Sequence, residues 1–277
     1  VIQKPQLGTG HAVQQLQDLL DNFKGDLLIL NGDVPLINPK TIKKLITRHR
    51  DTNAGVTFLS AKLEDPRGYG RVISDKEGKV KAIIEDKDCD QKQRLNKLTN
   101  AGVYCFKWEE LKKVLPKISN KNSQKEIYLT DAISKMSMAI HQEVINNQEI
   151  IGINDRIKLS ECEQLIQNKL REYWMEHGVT FNDPNSCSMT EECVFGIDTV
   201  IEPQTHFRGN CKIGNECTIG PGTIIENSEL KDNVVVIHSV VKNSKIKNNV
   251  SIGPFSHIRP DSELSDNSQI GNFVEIK

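Results

Sequence analysis

A six-residue repeat in the last third of the chain constrains the fold more strongly than any other feature. Large apolar residues recur at every sixth position in two runs, and the side chain four residues after each of them is usually small. The two runs, which two irregular steps separate, are Phe195, Ile201, Phe207, Ile213, Ile219, Ile225 and Ile246, Ile252, Ile258, Leu264, Ile270, Ile276. Alternating strands of an ordinary sheet would show a period of two and hairpin turns. The spacing therefore predicts a β-helix, in which each six-residue side buries one large residue inside a prism and one small residue at a corner.

Composition and cysteine usage narrow the class of protein. The 277-residue chain has a net charge of -1 and no apolar run near the length of a membrane span, so we expect neither a nucleic-acid nor a membrane partner. Its seven cysteines include no CxxC and no paired zinc spacing, which is typical of reduced thiols in a cytoplasmic protein. Cys211 and Cys217 lie one repeat apart in small-residue positions, which predicts packing residues rather than metal ligands.

The first 155 residues follow a different pattern, in which helix-like and strand-like segments alternate. Strands are predicted at 27–30, 56–59, 80–84 and 103–106, a helix with Val13, Leu16 and Leu20 on one face follows the GTGH stretch, and Asn38 with Pro39 should start another helix. Such alternation is typical of a parallel α/β sheet. A long apolar stripe then predicts a linker helix over 156–177. We expect three parts: a domain at 1–155, this linker, and the β-helix at 178–277.

The stretch DLLILNGDVPLIN, residues 26–38, contains the first candidate ligand of a metal ion. Asp33 follows the apolar run 27–30, which predicts a buried strand, and in a parallel sheet ligands bind at the carboxyl ends of strands. A carboxylate there can ligate Mg²⁺, and Gly32 lets a nucleotide approach the backbone closely. An Asx-type turn before Pro35 explains the same residues equally well.

Further polar stretches follow at strand ends or loops: QLGTGHA (6–12), DPRGYGRV (65–72), IIEDKD (83–88), NAGVYCF (100–106) and GINDR (152–156). Each one also fits an ordinary turn. Together they supply glycines, amides and the carboxylate of Glu85, which suit a sugar nucleotide and a metal better than a hydrolytic triad.

These stretches in this order, with EIYLTDAI (126–133), IGPFSHIRP (252–260) and IGNFVEIK (270–277), resemble the bacterial bifunctional N-acetylglucosamine-1-phosphate uridylyltransferase / glucosamine-1-phosphate N-acetyltransferase family, known as the GlmU family. The resemblance covers essentially the whole chain. It implies a Rossmann-like α/β nucleotidyltransferase domain with a mainly parallel sheet, followed by the linker helix and a left-handed parallel β-helix of hexapeptide repeats.

The resemblance also implies roles for particular residues. Asp33 and Asn154 would be the Mg²⁺ ligands and the catalytic pair, and Asn31, where family members often carry an aromatic residue, would lie with Gly32 beside the phosphate and sugar. Uridine contacts would come from Gln3, Gly8 and Thr9, sugar contacts from Gly70, Glu85, Asn100 and again Asn154, and binding of the sugar phosphate in the β-helix from Arg259 and Lys277.

The implied activity is synthesis of UDP-N-acetylglucosamine for peptidoglycan and lipopolysaccharide. Acetyl-CoA would acetylate glucosamine-1-phosphate, and UTP would then transfer its uridylyl group to N-acetylglucosamine-1-phosphate, in a homotrimer. Two alternatives remain open: another sugar-1-phosphate nucleotidyltransferase with a β-helix tail, and a non-catalytic regulatory relative that binds sugar nucleotides.

Both ends of the sequence look cut, so we expect a fragment. The family's glycine-rich loop with its arginine and lysine would precede Val1, and the acetyl-transfer histidine and the coenzyme site would follow Lys277. Such a fragment should bind its ligands without turnover. The three histidines of the early coils, His206, His238 and His257, do not occupy the position of that base and are expected at the surface.

Overall fold

The structure is a computed structural model that describes residues 1–277, and the chain divides into two compact units, Val1–Cys162 and Glu163–Lys277. The predicted boundaries at 155 and 177 stay predictions, because the division between the compact units falls inside a helix. None of the five α-helices combines the length and the hydropathy needed to cross a lipid bilayer.

The first unit contains one six-stranded sheet with helices around it. Its strands are β1 (Asp26–Ile29), β2 (Val56–Lys62), β3 (Arg71–Ser74), β4 (Val80–Ile84), β5 (Leu98–Lys107) and β6 (Ile140–Ile145). Its helices are α1 (Thr9–Gln14), α2 (Pro39–Asp51), α3 (Gln91–Arg94), α4 (Trp108–Val114) and the start of α5 (Arg156–Glu176), with 3₁₀ turns at Asp86–Asp88, Leu115–Lys117, Leu129–Lys135 and Asn147–Ile150.

Local sequence signals explain several of these elements. The side chain of Asn38 accepts a hydrogen bond from the backbone N–H of Lys40 at 2.8 Å, and Pro39 is the first residue of α2, as predicted. The α5 helix lies where the linker helix was predicted. The α1 helix is shorter than the spacing of its apolar residues indicates, because the chain continues in turns through residue 22.

The prediction of a mainly parallel sheet was wrong, because the sheet is mixed. Four of its five strand pairings are antiparallel, and only β2 with β6 is parallel. The five residues 75–79 between β3 and β4 are too few for a crossover, so these two strands pair antiparallel. An alternation of helix-like and strand-like segments does not by itself fix strand direction.

The long strand β5 organises the sheet and leaves a gap along one edge. The β2 strand pairs with β5 from residue 98 to 106 and fills one edge. On the other edge β1 pairs with residues 104–107, and β3 pairs at Thr99. Residues 100–103 of β5 therefore have no strand partner on that edge. Gly102, with a φ of 72°, lies in this stretch, where the register with β2 also shifts.

The β1 strand is less buried than predicted. Residues 26–29 are all half-buried, and Leu30 is 48% exposed. Within residues 1–277, β1 pairs with β5 alone.

The second unit is the predicted β-helix of hexapeptide repeats. Its short strands stack into three parallel sheets, formed by β8, β11, β14, β17 and β20, by β7, β9, β12, β15, β18 and β21, and by β10, β13, β16, β19 and β22. Their bounds are β7 Thr180–Phe181, β8 Val194–Phe195, β9 Val200–Ile201, β10 His206–Arg208, β11 Lys212–Ile213, β12 Thr218–Ile219, β13 Ile224–Glu226, β14 Glu229–Leu230, β15 Val235–Val236, β16 Val240–Lys242, β17 Lys245–Ile246, β18 Ser251–Ile252, β19 His257–Ile258, β20 Glu263–Leu264, β21 Gln269–Ile270 and β22 Glu275–Ile276. This arrangement is consistent with the left-handed β-helix that the resemblance implied.

Burial in the coils follows the predicted repeat. The large residues from Phe195 to Leu264 are buried, and Cys211 and Cys217 are buried as packing residues without disulfide partners. Two irregular steps were predicted, but three sides of the coil are shorter by one residue: Ile225 to Leu230, Val236 to Val241 and Val241 to Ile246. Lys212 pairs with Glu229, and Glu229 with Lys245, which are 17 and then 16 residues apart, whereas coils of regular sides span 18.

Candidate active site

A cavity of about 470 Å³ lies at the gap in the first sheet. Its walls come from segments that are far apart in the sequence: the start of α1, the turn after β1, the loop before β3, the end of β4, the unpaired stretch of β5, the start of the 3₁₀ turn Leu129–Lys135 and the segment after β6. The structure gathers eight of the predicted site residues on this cavity, namely Thr9, Asn31, Gly32, Asp33, Gly70, Glu85, Asn100 and Asn154.

One edge of the cavity carries the predicted metal ligands. The backbone N–H of Ile153 donates to the backbone oxygen of Asp33 at 2.8 Å, which ties the turn after β1 to the segment that carries Asn154. Both side chains are exposed and line the cavity. One carboxylate and one amide are oxygen donors that fit a hard divalent cation, which keeps several waters and takes further oxygens from phosphates.

Another wall is built around Glu85. Its Oε1 accepts a hydrogen bond from the hydroxyl of Thr130 at 2.8 Å. Burial raises the pKa of Glu85, and the nearby carboxylate of Asp131 raises it further, although the Thr130 hydrogen bond opposes this shift. A Cβ atom at Gly70 would lie only 3.4 Å from Glu85 Oε2, so the glycine keeps this carboxylate open to the cavity.

The floor is formed by the unpaired stretch of β5. The backbone N–H of Asn100 donates to Gly70 O at 2.8 Å, and the Asn100 side-chain oxygen accepts from the backbone N–H of Gly102 at 3.2 Å. The side chain of Asn31 lies against Gly102, where any Cβ atom would collide with its amide nitrogen. The left-handed conformation and the close approach together require glycine here.

Arg71 supports two of these walls from behind. Its side chain is 1% exposed, one guanidinium nitrogen donates to Tyr69 O, and another donates to Asp86 at 2.9 Å. The guanidinium therefore joins the loop before β3 to the residue that follows Glu85. This arrangement holds the positions of Gly70 and Glu85 relative to each other.

Of the three predicted uridine contacts, Thr9 lines the cavity, whereas Gln3 and Gly8 do not. Thr9 lines the cavity, and its hydroxyl accepts from the backbone N–H of Leu129 at 3.0 Å. Gly8, with a φ of 106°, packs against Ile127, where a Cβ atom would lie 2.6 Å from the backbone oxygen. Gln3 lies outside the cavity and donates from its side-chain amide to Gly8 O at 3.0 Å. Roles of Gln3 and Gly8 in uridine binding stay predictions.

In the β-helix, the predicted phosphate-binding pair lies on neighbouring rungs. The backbone N–H of Arg259 donates to Ile276 O at 3.0 Å, which brings Arg259 level with Lys277. Glu275 lies beside both: Arg259 Nη1 donates to its Oε1 at 2.6 Å, and Lys277 Nζ is 3.9 Å from its Oε2. The Arg259 hydrogen bond lowers the pKa of Glu275. Two cations therefore share one exposed carboxylate.

The histidines of the coils only partly follow the surface prediction. His238 is exposed. His206 is half-buried, and its Nδ1 lies 2.8 Å from the hydroxyl of Ser188. His257 is also half-buried, and its Nε2 is enclosed without a hydrogen-bond partner.

Comparison with known proteins agrees with this architecture. The nucleotidyl transferase family profile matches residues 1–180. The chain belongs to the nucleotidyl transferase family. A second profile, bacterial transferase hexapeptide (six repeats), matches 192–227 and 243–277. The interval between these two matches overlaps the shortened sides of the coil.

Proteins named "Bifunctional protein GlmU" are similar to this chain over its whole length. Those of Prochlorococcus marinus strains MIT 9211 and MIT 9313 are 58% identical over 275 residues and 56% identical over 277 residues, which is 99% and 100% of this chain. The protein of strain NATL2A is 58% identical over 277 residues. The chain spans about three-fifths of the length of these relatives (61–62%). The resemblance to the GlmU family is confirmed.

Sequence reasoning missed several residues of this nucleotidyl transferase cavity. Tyr104 lines the floor, Tyr69 lines one wall with its hydroxyl 3.4 Å from Ile150 O, and Thr130 orients Glu85. All three lie within the stretches that were singled out, in NAGVYCF, DPRGYGRV and EIYLTDAI. The stretches carried the signal, but only the pairing of β1 and β3 with β5 shows which side chains reach the cavity.

Proposed function

We propose that the first unit forms the uridylyltransferase site of a protein that synthesises UDP-N-acetylglucosamine. The observation that carries this proposal is the convergence of eight predicted residues, from Thr9 to Asn154, on one cavity. The similarity to bifunctional GlmU proteins supports the choice of UTP and N-acetylglucosamine-1-phosphate as substrates.

Asp33 and Asn154 would hold Mg²⁺. Bound there, the ion would offset negative charge on the phosphates of both substrates. The chain's own residues bind and orient the sugar phosphate: Glu85 accepts from sugar hydroxyls, and Asn100 donates from its amide. The reaction is an in-line attack of the sugar phosphate oxygen on the α-phosphorus of UTP, with pyrophosphate leaving, so positioning supplies much of the rate.

The β-helix would contribute the acetyltransferase half of the same protein. Arg259 and Lys277 lie at the same level and can clamp the phosphate of glucosamine-1-phosphate, while Glu275 now holds both cations in place. Acetyl-CoA is the proposed acetyl donor. A homotrimer assembled through the β-helix and a cytoplasmic location complete the proposal.

Two alternative functions lead to different expected results: a sugar nucleotidyltransferase with another specificity, and a non-catalytic relative. The first would prefer a sugar nucleotide other than UDP-N-acetylglucosamine. The second would bind sugar nucleotides without turnover in the whole protein. The pair of oxygen ligands, Asp33 and Asn154, favours the catalytic reading, because binding alone requires no metal.

The test combines calorimetry on this chain with turnover in the whole protein. UDP-N-acetylglucosamine in the presence of Mg²⁺ should bind at least about tenfold more tightly than UDP-glucose or dTDP-glucose, and EDTA should weaken the binding. The whole protein should release pyrophosphate from UTP only when N-acetylglucosamine-1-phosphate is present. Equal affinity for the three sugar nucleotides, or binding without any pyrophosphate release, would contradict the proposal.

A further inference from the structure

Tyr104 places a hydroxyl group on the floor of the cavity. The residue is 4% exposed, and its ring packs between Phe58 and Phe106, with ring centroids 6.3 and 5.5 Å away. Its hydroxyl oxygen accepts a hydrogen bond from the side-chain nitrogen of Asn100 at 2.6 Å. The aromatic neighbours hold the ring in place, so the hydroxyl has little freedom to move.

Two hydrogen-bond donors, one on Asn100 and one on Tyr104, have no acceptor in the chain. Its side-chain oxygen already accepts from the Gly102 backbone N–H, which fixes the orientation of the amide, and one of its two N–H bonds points to Tyr104. The second amide hydrogen and the hydroxyl hydrogen of Tyr104 have no acceptor in the chain. Burial raises the pKa of Tyr104, so the phenol stays protonated and remains a donor at neutral pH.

Glu85 supplies an acceptor next to these donors. Its Oε1 is occupied by the Thr130 hydroxyl, whereas its Oε2 faces the side of Gly70 without a donor from the protein. The negative charge of Glu85 lies close enough to Tyr104 to raise the pKa of the phenol further. A ligand with several oxygen atoms and hydroxyl groups would satisfy the two donors and the acceptor together, and unpaired groups in such an enclosed place are costly.

We propose that the hydroxyl of Tyr104 donates a hydrogen bond to an oxygen atom of the bound sugar and is a further residue that determines sugar specificity. This inference rests on the proposed function, because it takes a sugar nucleotide as the ligand of the cavity. The sugar is favoured over the uridine because Tyr104 lies among Glu85, Asn100 and Gly102, on the floor between β1 and β3.

The test compares two tyrosines by calorimetry with UDP-N-acetylglucosamine and with UDP, which lacks the sugar. Tyr104→Phe should weaken binding of the sugar nucleotide about fivefold to tenfold and leave UDP binding unchanged. Tyr128→Phe is the matched control. Its hydroxyl accepts from Gln124 at 2.8 Å and lies outside the cavity, so the affinity for both ligands should be unchanged.

A double-mutant cycle separates direct contact from orientation of Asn100. If Tyr104 contacts the sugar, Tyr104→Phe should still weaken sugar-nucleotide binding when Asn100→Ala is already present. No further loss in that background would mean that the phenol only orients Asn100, and would overturn the proposal. An equal loss for UDP would overturn it as well.

The outcome for the unsubstituted chain distinguishes this inference from the function on which it rests. If the unsubstituted chain binds UDP-N-acetylglucosamine and Tyr104→Phe binds it equally well, the assignment of Tyr104 alone is overturned. If the unsubstituted chain does not bind the sugar nucleotide, the proposed function is overturned together with the assignment.

Discussion

The cavity of the first unit and the cationic pair of the β-helix are assembled in opposite ways. The cavity takes residues from seven segments between positions 9 and 154, and strand pairing brings most of them together. The pair Arg259 and Lys277 is 18 residues apart and becomes adjacent because one coil stacks on the next. The first site therefore depends on pairing between strands that are distant in the sequence, whereas the second depends on the number of residues in one coil.

This difference predicts how each site responds to substitution. In the cavity, a change at one residue disturbs partners from other segments, so effects on ligand binding should be large. In the β-helix, exposed side chains on neighbouring rungs interact mainly with each other, so effects on stability should be small.

The largest effect is expected for Asp33→Asn. Loss of the carboxylate removes the charged ligand of the proposed Mg²⁺ site, and uridylyl transfer by the whole protein should fall on the order of 10³-fold. The fold should persist, since Asp33 is exposed. Pyrophosphate release at saturating Mg²⁺ provides the measurement, with Asp18→Asn, another exposed aspartate, as the control. Near-normal activity of Asp33→Asn would remove the metal assignment.

Next in size is Gly102→Ala, which tests whether the gap in the sheet shapes the cavity. The residue has a φ of 72°, and the new methyl group would collide with the Asn31 side chain. We expect sugar-nucleotide binding to weaken about 10- to 100-fold. In addition, an alanine in the left-handed conformation lowers the stability of the fold by about 1 kcal/mol.

Gly78→Ala is the matched control for that variant. Gly78 has a φ of 80° in the turn between β3 and β4, with open space around its Cα. The two substitutions therefore carry the same backbone strain, and calorimetry together with thermal melting separates strain from collision. Equal losses of binding in both variants would show that the contact between Asn31 and Gly102 is unimportant.

A smaller, pH-dependent effect is expected for Glu85→Gln. Folding raises the pKa of Glu85, so the folded chain holds this proton more tightly than the unfolded chain does. The contribution of Glu85 to stability is therefore complete at low pH and is lost as pH rises from the unfolded value, near 4.5, through the raised folded value. Glu85→Gln should melt with a weaker dependence on pH in this window than the unsubstituted chain.

Ligand binding should change with pH in the opposite direction. In the proposed site the ionised carboxylate would accept from sugar hydroxyls, so affinity for the sugar nucleotide should fall several-fold as pH drops through the raised pKa, and Glu85→Gln should lose this dependence. Glu109→Gln, at an exposed position on α4, serves as the control and should keep both pH profiles unchanged. Identical profiles for Glu85→Gln and the unsubstituted chain would rule out Glu85 as the titrating group.

The smallest effect on stability is expected for Arg259→Gln. The ion pair of Arg259 with Glu275 is about half exposed on both sides, so its loss should cost less than about 1 kcal/mol in denaturant unfolding. Binding of glucosamine-1-phosphate should nevertheless weaken, because the clamp loses one cation. Arg208→Gln, on the equivalent outer position of β10, should leave this binding unchanged. A matching loss in Arg208→Gln would indicate non-specific attraction by surface charge.

The same contrast explains how much of the molecule could be predicted from its sequence. The buried residues of the β-helix could be predicted from the six-residue repeat, because every side of the coil has the same local environment. Even the irregular steps were visible between Ile225 and Ile246. Enclosure of His257 Nε2 was not predictable, because it depends on the side chains of adjacent coils.

In the first unit, four of the six strands were predicted, whereas β3, β6 and the pairing of the strands were not. Residues 80–84 form β4 as predicted, but strand direction depends on the connections, and the short link before β4 was overlooked. The position of Tyr104 on the cavity also escaped prediction, since its ring belongs to the core while its hydroxyl reaches the cavity. Asp33, which its position after an apolar run singled out, lines the cavity, and its role as a metal ligand stays a prediction.

A crystal structure of the chain with UDP-N-acetylglucosamine and Mg²⁺ would show whether this cavity is the substrate site. We expect the sugar over Gly102, in the gap between β1 and β3, with Glu85 and Asn100 on its hydroxyl groups and the metal on Asp33 and Asn154. A nucleotide bound elsewhere on the chain, or a sugar that leaves this gap empty, would contradict this expectation.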